Sequence, residues 1–260
     1  MPTYRASDAS LLAYRQAGQG GNALVFIHGW QADGRIWEPV IHELRGEIHS
    51  VSLDLRGCGG SAPAPGPFTI EQLARDVGDA VHALGLAPAA IVGHSMGGAI
   101  ALRLAIDDPS AVRALVLIAG IPVDGLHFSP KIDALFRSVP GNPAGTRLWL
   151  SGLPLHPFSP ANLEMLLAAA ATVRPQAARE SYASWTNLNF RSELGRIRAP
   201  TVVIAPEGDQ PMTPQLMRER LADPIIGSRF VVLPDSGHYA PVEQPFAVAA
   251  EIRAALLSLH

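Results

Sequence analysis

The chain holds a single cysteine, Cys58, and a single lysine, Lys131, among its 260 residues. One cysteine excludes an internal disulfide and any zinc or iron–sulfur site built from several thiolates, and it fits a reducing compartment. Charge is scarce as well. Charged residues make up 17% of the chain, with 20 basic against 23 acidic and a net charge of −3, so the basic footprint that nucleic-acid binding requires is missing. No stretch approaches the roughly 18 apolar residues of a membrane span, and Met1 to Ser10 lacks a basic segment followed by an apolar one. The expectation is a cytoplasmic protein with neither a nucleic acid nor a membrane as partner. Its oligomeric state, monomer or homodimer, is left open.

What remains is a chain that is 48% hydrophobic, with 24 glycines and 23 prolines. That share of glycine and proline stays below the roughly 25–30% that marks low-complexity sequence, so a packed, loop-rich globular protein is the default. At about 150 residues per domain the length allows one to two.

Short apolar runs alternate with helix-period segments. Ala23 to Ile27, Ile48 to Leu53, Ala89 to Val92, Ala114 to Ile118, Thr201 to Ala205 and Arg229 to Leu233 each read as a strand buried on both faces. Between them, Thr69 and Gln72 form a capping box for a helix carrying Ile70, Leu73, Val77, Val81 and Leu84 up to the stop at Gly85. A last helix opens at Pro245 and puts Phe246, Ala249, Ile252 and Leu256 on one face. Such alternation predicts an α/β fold, a mostly parallel central sheet with helices on both faces. An antiparallel hairpin over Tyr4 to Ala17 leads into it. The alternation fails between Pro122 and Arg198, where no strand is legible. Several prolines and many large apolar residues there, including Phe136, Trp149, Trp185 and Phe190, are too many for a structureless loop. The prediction is a core domain of residues 1–121 and 199–260 with a helical lid, residues 122–198, inserted between strands six and seven.

The strongest local signal is Gly93-His94-Ser95-Met96-Gly97-Gly98, directly after a strand and directly before the helical run Ala99 to Ile106. In that setting Gly-x-Ser-x-Gly becomes a nucleophile elbow, a turn so sharp that its flanks must lack side chains. A serine hydroxyl needs a histidine base and a carboxylate to orient it, in the chain order serine, acid, histidine. His238 follows the last strand and is the best base. His42, His49, His82, His127, His156 and His260 lack a comparable position, and His28 reads as a buried structural histidine. Asp209, after the strand Thr201 to Ala205, is the best acid, with Asp124 and Glu207 as competitors. Donors for a developing oxyanion are expected from the backbone N–H of Met96, after the serine, and of Trp30, in the His28-Gly29-Trp30 loop. The Trp30 ring could equally be pocket wall or plain core.

These motifs resemble the α/β-hydrolase fold superfamily, in its serine-nucleophile branch, over essentially the whole chain. The resemblance rests on His28-Gly29, on Asp54-Leu55-Arg56-Gly57-Cys58-Gly59-Gly60-Ser61, on the elbow, and on Asp209 and His238 in the family's order. It implies a mainly structural role for the Asp54 to Ser61 motif, in which Cys58 is a spacer. Many relatives carry Asp-x-Arg where this chain has Asn189-Phe190-Arg191, which bears on a lid contact. Haloalkane dehalogenases and epoxide hydrolases use an aspartate where Ser95 stands. The implied activity is hydrolysis of a small to medium, largely apolar carboxylic ester, or a related lactone or thioester, through an acyl-enzyme on Ser95. Other members are C–C bond hydrolases of ring-fission products, ligand receptors and cofactor-free dioxygenases, some with their acid after the sixth strand, where Asp124 sits. No dinucleotide loop, Walker lysine or paired metal-ligand spacing is present, so the expectation is no cofactor, no metal and a small-molecule substrate.

Overall fold

The strand signals become one eight-stranded sheet in the computed structural model, which describes residues 1–20, 23–44 and 48–257. In chain order the strands are β1 (Thr3–Arg5), β2 (Leu11–Ala17), β3 (Ala23–Ile27), β4 (His49–Leu53), β5 (Ala89–His94), β6 (Val112–Ile118), β7 (Thr201–Pro206) and β8 (Arg229–Leu233). Their spatial order is β1-β2-β4-β3-β5-β6-β7-β8. The hairpin β1–β2 and the pair β2–β4 are antiparallel, and the other five pairs are parallel.

The helices are α1 (Glu38–Glu43), α2 (Ile70–Ala83), α3 (Met96–Asp107), α4 (Pro130–Ser138), α5 (Pro143–Ser151), α6 (Pro160–Ala171), α7 (Pro175–Thr186), α8 (Pro214–Met217), α9 (Ala240–Glu243) and α10 (Pro245–Leu257). α3 packs on β5 and β6 with α2 beside it, and α10 packs on β6 with α1 beside it. Every residue of β3 and β5 is buried, as both faces of a covered sheet require. Among the described residues no helix is long and apolar enough to cross a membrane.

Three local expectations need correction. β8 is not buried on both faces: it ends the sheet, pairs only with β7, and exposes Arg229 and Val232. Thr69 does accept from the Gln72 N–H, at 3.3 Å, but the Gln72 amide turns away to the Asp76 carboxylate, at 2.9 Å, so the box is half formed. Asp76 is buried in a bidentate pair with Arg56, and a second donor there outweighs a reciprocal cap. In α10 the buried stripe is Val248, Ala249, Ile252 and Ala255, while Phe246 is 70% exposed. Phe246 lies two residues ahead of Val248, roughly 160° round the helix at 100° per residue.

Between β6 and β7 the chain forms α4 to α7 and no strand among the described residues. The prolines of this stretch act as starts. Pro130, Pro143, Pro160 and Pro175 each occupy a first helical turn, where the missing N–H costs nothing. Ser129, Asn142 and Ser159 cap the first three through their side-chain oxygens.

Candidate active site

β5 ends in Gly93-His94 and α3 begins at Met96, which leaves Ser95 alone in the turn at φ +53° and ψ −120°. A side-chain-bearing residue held there costs of order 1–3 kcal/mol and persists only where its surroundings fix it. They do so closely. A Cβ added to Gly93 would lie 2.4 Å from the Gly97 carbonyl oxygen, and one added to Gly97 would lie 2.4 Å from that of Ile27. The Ser95 N–H donates to the Ile118 carbonyl and its own carbonyl accepts from Gly98, both at 2.9 Å.

The next two side chains arrive from neighbouring strands. Pairing of Pro206 with Leu233 brings the loops after β7 and β8 out side by side, and they are stitched by Glu207 N–H to Leu233 and Gly208 N–H to Ser236, each 2.9 Å. Asp209 Oδ1 accepts from the Met212 N–H at 3.1 Å, while Oδ2 accepts from His238 Nδ1 at 2.7 Å. A carboxylate only accepts, so the Nδ1 proton is set by Asp209, and Nε2 is left to accept from the Ser95 hydroxyl at 3.0 Å. All three side chains are buried. Burial opposes the imidazolium of His238, yet the charge and hydrogen bond of Asp209 outweigh it, and the pKa stands above the ordinary histidine value.

The competing acids are engaged elsewhere. Asp124 accepts from Arg220 Nε at 3.0 Å and Arg191 Nη1 at 3.2 Å. Partial burial disfavours its charge, but these guanidinium groups hold its carboxyl below the usual range. The Asn189-Phe190-Arg191 segment thus supplies a lock on the loop after β6. Glu207 is exposed and accepts from the Asp235 N–H at 3.3 Å. His82 pairs with Asp108 and His156 with Asp235, and His260 lies outside the described residues.

His28 accepts from the Leu55 N–H through Nε2, at 3.0 Å, and donates from Nδ1 to the Gly29 carbonyl, at 2.8 Å. Burial lowers its pKa, and the neutral ring pins the loop after β3 to the loop after β4. That loop lies against the elbow: a Cβ on Gly29 would sit 3.0 Å from Ser95 Cβ. Trp30 follows Gly29 in that loop and Met96 follows Ser95 in the elbow, and among the described residues no backbone hydrogen bond occupies the N–H of either. The Trp30 ring is pocket wall, packed against Phe136, Trp149 and Tyr182, and its own Nε1 donates to Ala178 of α7 at 2.8 Å.

In the Asp54 to Ser61 motif, Asp54 accepts from the N–H groups of Gly34 and Gly60 and from Arg15. Cys58 is buried, which pushes its thiol pKa up.

Two residues were missed by sequence reasoning. His94, inside the elbow, donates from Nε2 to the His238 carbonyl at 2.8 Å, and burial pushes its pKa down to about 3. Glu243 accepts from the N–H groups of Gly237 (2.8 Å) and Tyr239 (2.9 Å), on either side of His238, and from Leu155 of the insertion (2.9 Å). Burial raises its pKa despite these three donors. A carboxylate five residues after the base, inside a short helix, was the available signal.

The hollow beside Ser95 and His238 has a volume of about 30 Å³ and is walled by Trp30, Phe136, Trp149 and Trp185. It has room for a water or two and for no ester. A second hollow of about 200 Å³ abuts it, sharing Trp30 and Phe136 and adding Arg137, Arg179 and Tyr182. A larger one of about 640 Å³ lies along α5 and α6 and reaches none of Ser95, Asp209 or His238, so size does not locate the chemistry. Among the described residues no cluster of three or more histidine, cysteine or acidic side chains is placed to hold a metal ion.

Residues 24–251 match the family model described as the alpha/beta hydrolase family. The chain belongs to the α/β hydrolase family. Lipase LipV of Mycobacterium tuberculosis is 32% identical to this hydrolase over 265 residues, 94% of this chain and 97% of the relative. A thermophilic esterase from Thermogutta terrifontis superposes with a TM-score of 0.86 at 25% identity over 100% of both chains. An enol-lactonase from Burkholderia xenovorans reaches 0.87 at 24% identity, covering 98% of this chain and 100% of its own; at that identity it bears on the fold alone. In this α/β hydrolase the Ser95, Asp209 and His238 side chains follow the carboxyl ends of β5, β7 and β8, the edge at which open α/β sheets gather ligands.

Proposed function

We propose that this hydrolase cleaves a small to medium, largely apolar carboxylic ester through an acyl-enzyme on Ser95. The reading rests on one observation, the unbroken run from the Ser95 hydroxyl to His238 at 3.0 Å and from His238 to Asp209 at 2.7 Å. Ser95 Oγ attacks the ester carbonyl carbon while its proton passes to His238 Nε2, and Asp209 stabilises the imidazolium that forms. The Trp30 and Met96 N–H groups, the latter at the positive end of α3, receive the oxyanion. Collapse expels the alcohol with the proton from His238. Water, deprotonated by the same imidazole, then releases the acid and restores Ser95.

The names of the lipase and the esterase support an ester over a lactone or thioester. Helices α4 to α7 serve as a lid over the strand ends, since Phe136 of α4, Trp149 of α5 and Trp185 of α7 wall the hollow at Ser95. Asp124 was the acid on which the dioxygenase alternative leaned, and its engagement by Arg220 and Arg191 weighs against that alternative. The single buried cysteine accords with work in the cytoplasm. A p-nitrophenyl phosphonate ester is expected to add its phosphonyl mass to the peptide containing Ser95, and p-nitrophenyl butyrate to be turned over. Hydrolysis that survives Ser95→Ala would overturn the acyl-enzyme.

A further inference from the structure

The wall of the Ser95 hollow contains three buried polar atoms without a partner among the described residues, the indole N–H groups of Trp149 and Trp185 and Nδ1 of His94. Trp149 and Trp185 both line it, both are at least nine-tenths buried, and neither indole N–H has an acceptor. The contrast with Trp30 is direct, because the Trp30 indole in the same wall is tied to a backbone carbonyl. A buried N–H left without a partner costs about 1–3 kcal/mol, and two in one wall double that cost unless something else supplies oxygen.

The other residues of the wall narrow what that something is. Apart from Ser95, the histidines and the Tyr239 hydroxyl its side chains are apolar or aromatic, and His94 is held neutral by burial. A charged ligand group would be stranded there. The position of the indoles also separates the two ends of an ester. The alcohol has to leave beside His238, which protonates it, and the His238 ring is packed by His94 and Tyr239. Trp149 packs instead edge-on against Trp30, with ring centroids 5.3 Å apart, and Trp185 reaches Trp30 through Phe136, at 5.9 and 5.4 Å. The indoles thus belong to the ring cluster around Trp30 rather than to the rings packed on His238.

We propose that Trp149 and Trp185 form an acceptor-reading subsite, so that the preferred substrate is an ester whose acyl chain carries an uncharged oxygen acceptor, an ether or a ketone, among otherwise apolar groups. This deepens the esterase reading and rests on it. Because the hollow is of water size, the acyl chain enters by displacing rings of the insertion, and the hydrogen bonds to its oxygen offset that displacement.

The test compares two acyl chains of equal length, p-nitrophenyl 3-methoxypropanoate and p-nitrophenyl pentanoate, each rate divided by its rate with hydroxide to remove the inductive effect of the ether. Wild type is expected to favour the methoxy ester about tenfold in kcat/KM, the scale of one to two neutral hydrogen bonds. Trp149→Phe and Trp185→Phe are expected to bring that ratio toward one. A variant that is merely damaged loses rate on both esters and leaves the ratio unchanged. Turnover without preference, or a preference that survives both substitutions, overturns the subsite. If wild type turns over neither ester, the esterase reading fails, and the subsite is still decided by binding. In protein labelled with ¹⁵N-tryptophan, saturating N-methyl-3-methoxypropanamide should shift the Trp149 and Trp185 indole N–H resonances downfield, and N-methylpentanamide should not. Equal shifts with both amides, or no shift with either, overturn it.

Discussion

The loops at the carboxyl ends of β5, β7 and β8 and the helical insertion α4 to α7 meet at Ser95, and they are held by different forces. In the loops, position is set by backbone hydrogen bonds between parallel strands and by side chains with fixed partners, such as Asp209 with Met212 N–H and His238. In the insertion, the face toward Ser95 is set by ring packing among Phe128, Phe136, Trp149, Tyr182 and Trp185. Hydrogen bonds fix atoms to tenths of an ångström. Packing fixes volume and tolerates exchange of shape at constant volume. Under the proposed mechanism the reacting atoms belong to the first region and substrate preference to the second, and the two are joined by the His238 N–H donating to the Leu153 carbonyl at 2.9 Å and by Glu243, which grips both the His238 loop and Leu155.

Substitutions can break that division, and the largest effect comes first. Ser95→Ala or His238→Ala should each cost about 10⁶-fold in kcat, measured on p-nitrophenyl butyrate. Asp209→Asn should cost about 10⁴-fold, because an amide can donate and no longer selects the Nδ1–H tautomer. Asp124→Asn should leave kcat within about twofold and instead lower the thermal midpoint by about 2–4 °C, the loss of roughly 1 kcal/mol of partly exposed ion pairing. A rate loss like that of Asp209→Asn would mean that the loop after β6 supplies the acid and that the comparison is drawn in the wrong place.

Glu243→Gln tests the joint. It keeps one acceptor oxygen but loses the charge, so a drop of about tenfold in kcat is expected, on the scale of one charge-assisted hydrogen bond. The pH profile separates this from a general structural defect. Only neutral His238 accepts the Ser95 proton, so kcat/KM should rise with pH through an apparent pKa above the ordinary histidine value of 6.5. Burial opposes the protonated ring, Asp209 is the main group sustaining it, and the Glu243 charge adds to that. Without that charge the imidazolium is less stable, its pKa falls, and the acid limb should move to lower pH. An unmoved limb would reduce Glu243 to a loop anchor. The smallest effect should come from Phe246→Ser, which removes an exposed ring outside both regions and should change stability by no more than about 0.5 kcal/mol in a chemical denaturation curve.

The elbow, the acid and the base could be read from the sequence because each follows an apolar run that reads as a strand, and each is marked by glycine. His94 and Glu243 could not be read that way. His94 lies inside the Gly-x-Ser-x-Gly motif at its variable position, and what it holds, the His238 carbonyl, is 144 residues away. Glu243 looks like any polar residue of a short helix until three N–H groups turn toward it. The exposure of Phe246 and of β8 escaped for a related reason. A stripe of apolar residues says that one face of an element is buried, but which residues centre that face depends on the neighbour it meets, and β8 has a neighbour on one side only.

The sequence by itself determined the order of strands and helices, the break in that order between Pro122 and Arg198, and Ser95 and His238 as candidate nucleophile and base, with Asp209 ahead of two other acids. It did so because strand burial and the positive φ of the elbow leave few residue types free. Only the tertiary structure decided that Asp209 rather than Asp124 faces His238, that Asp124 is instead locked by Arg191 and Arg220, and that the indole N–H groups of two residues walling the Ser95 hollow are left without a partner among the described residues. Those outcomes depend on which loop ends lie next to each other across the sheet, and long-range adjacency leaves no periodic trace in a chain.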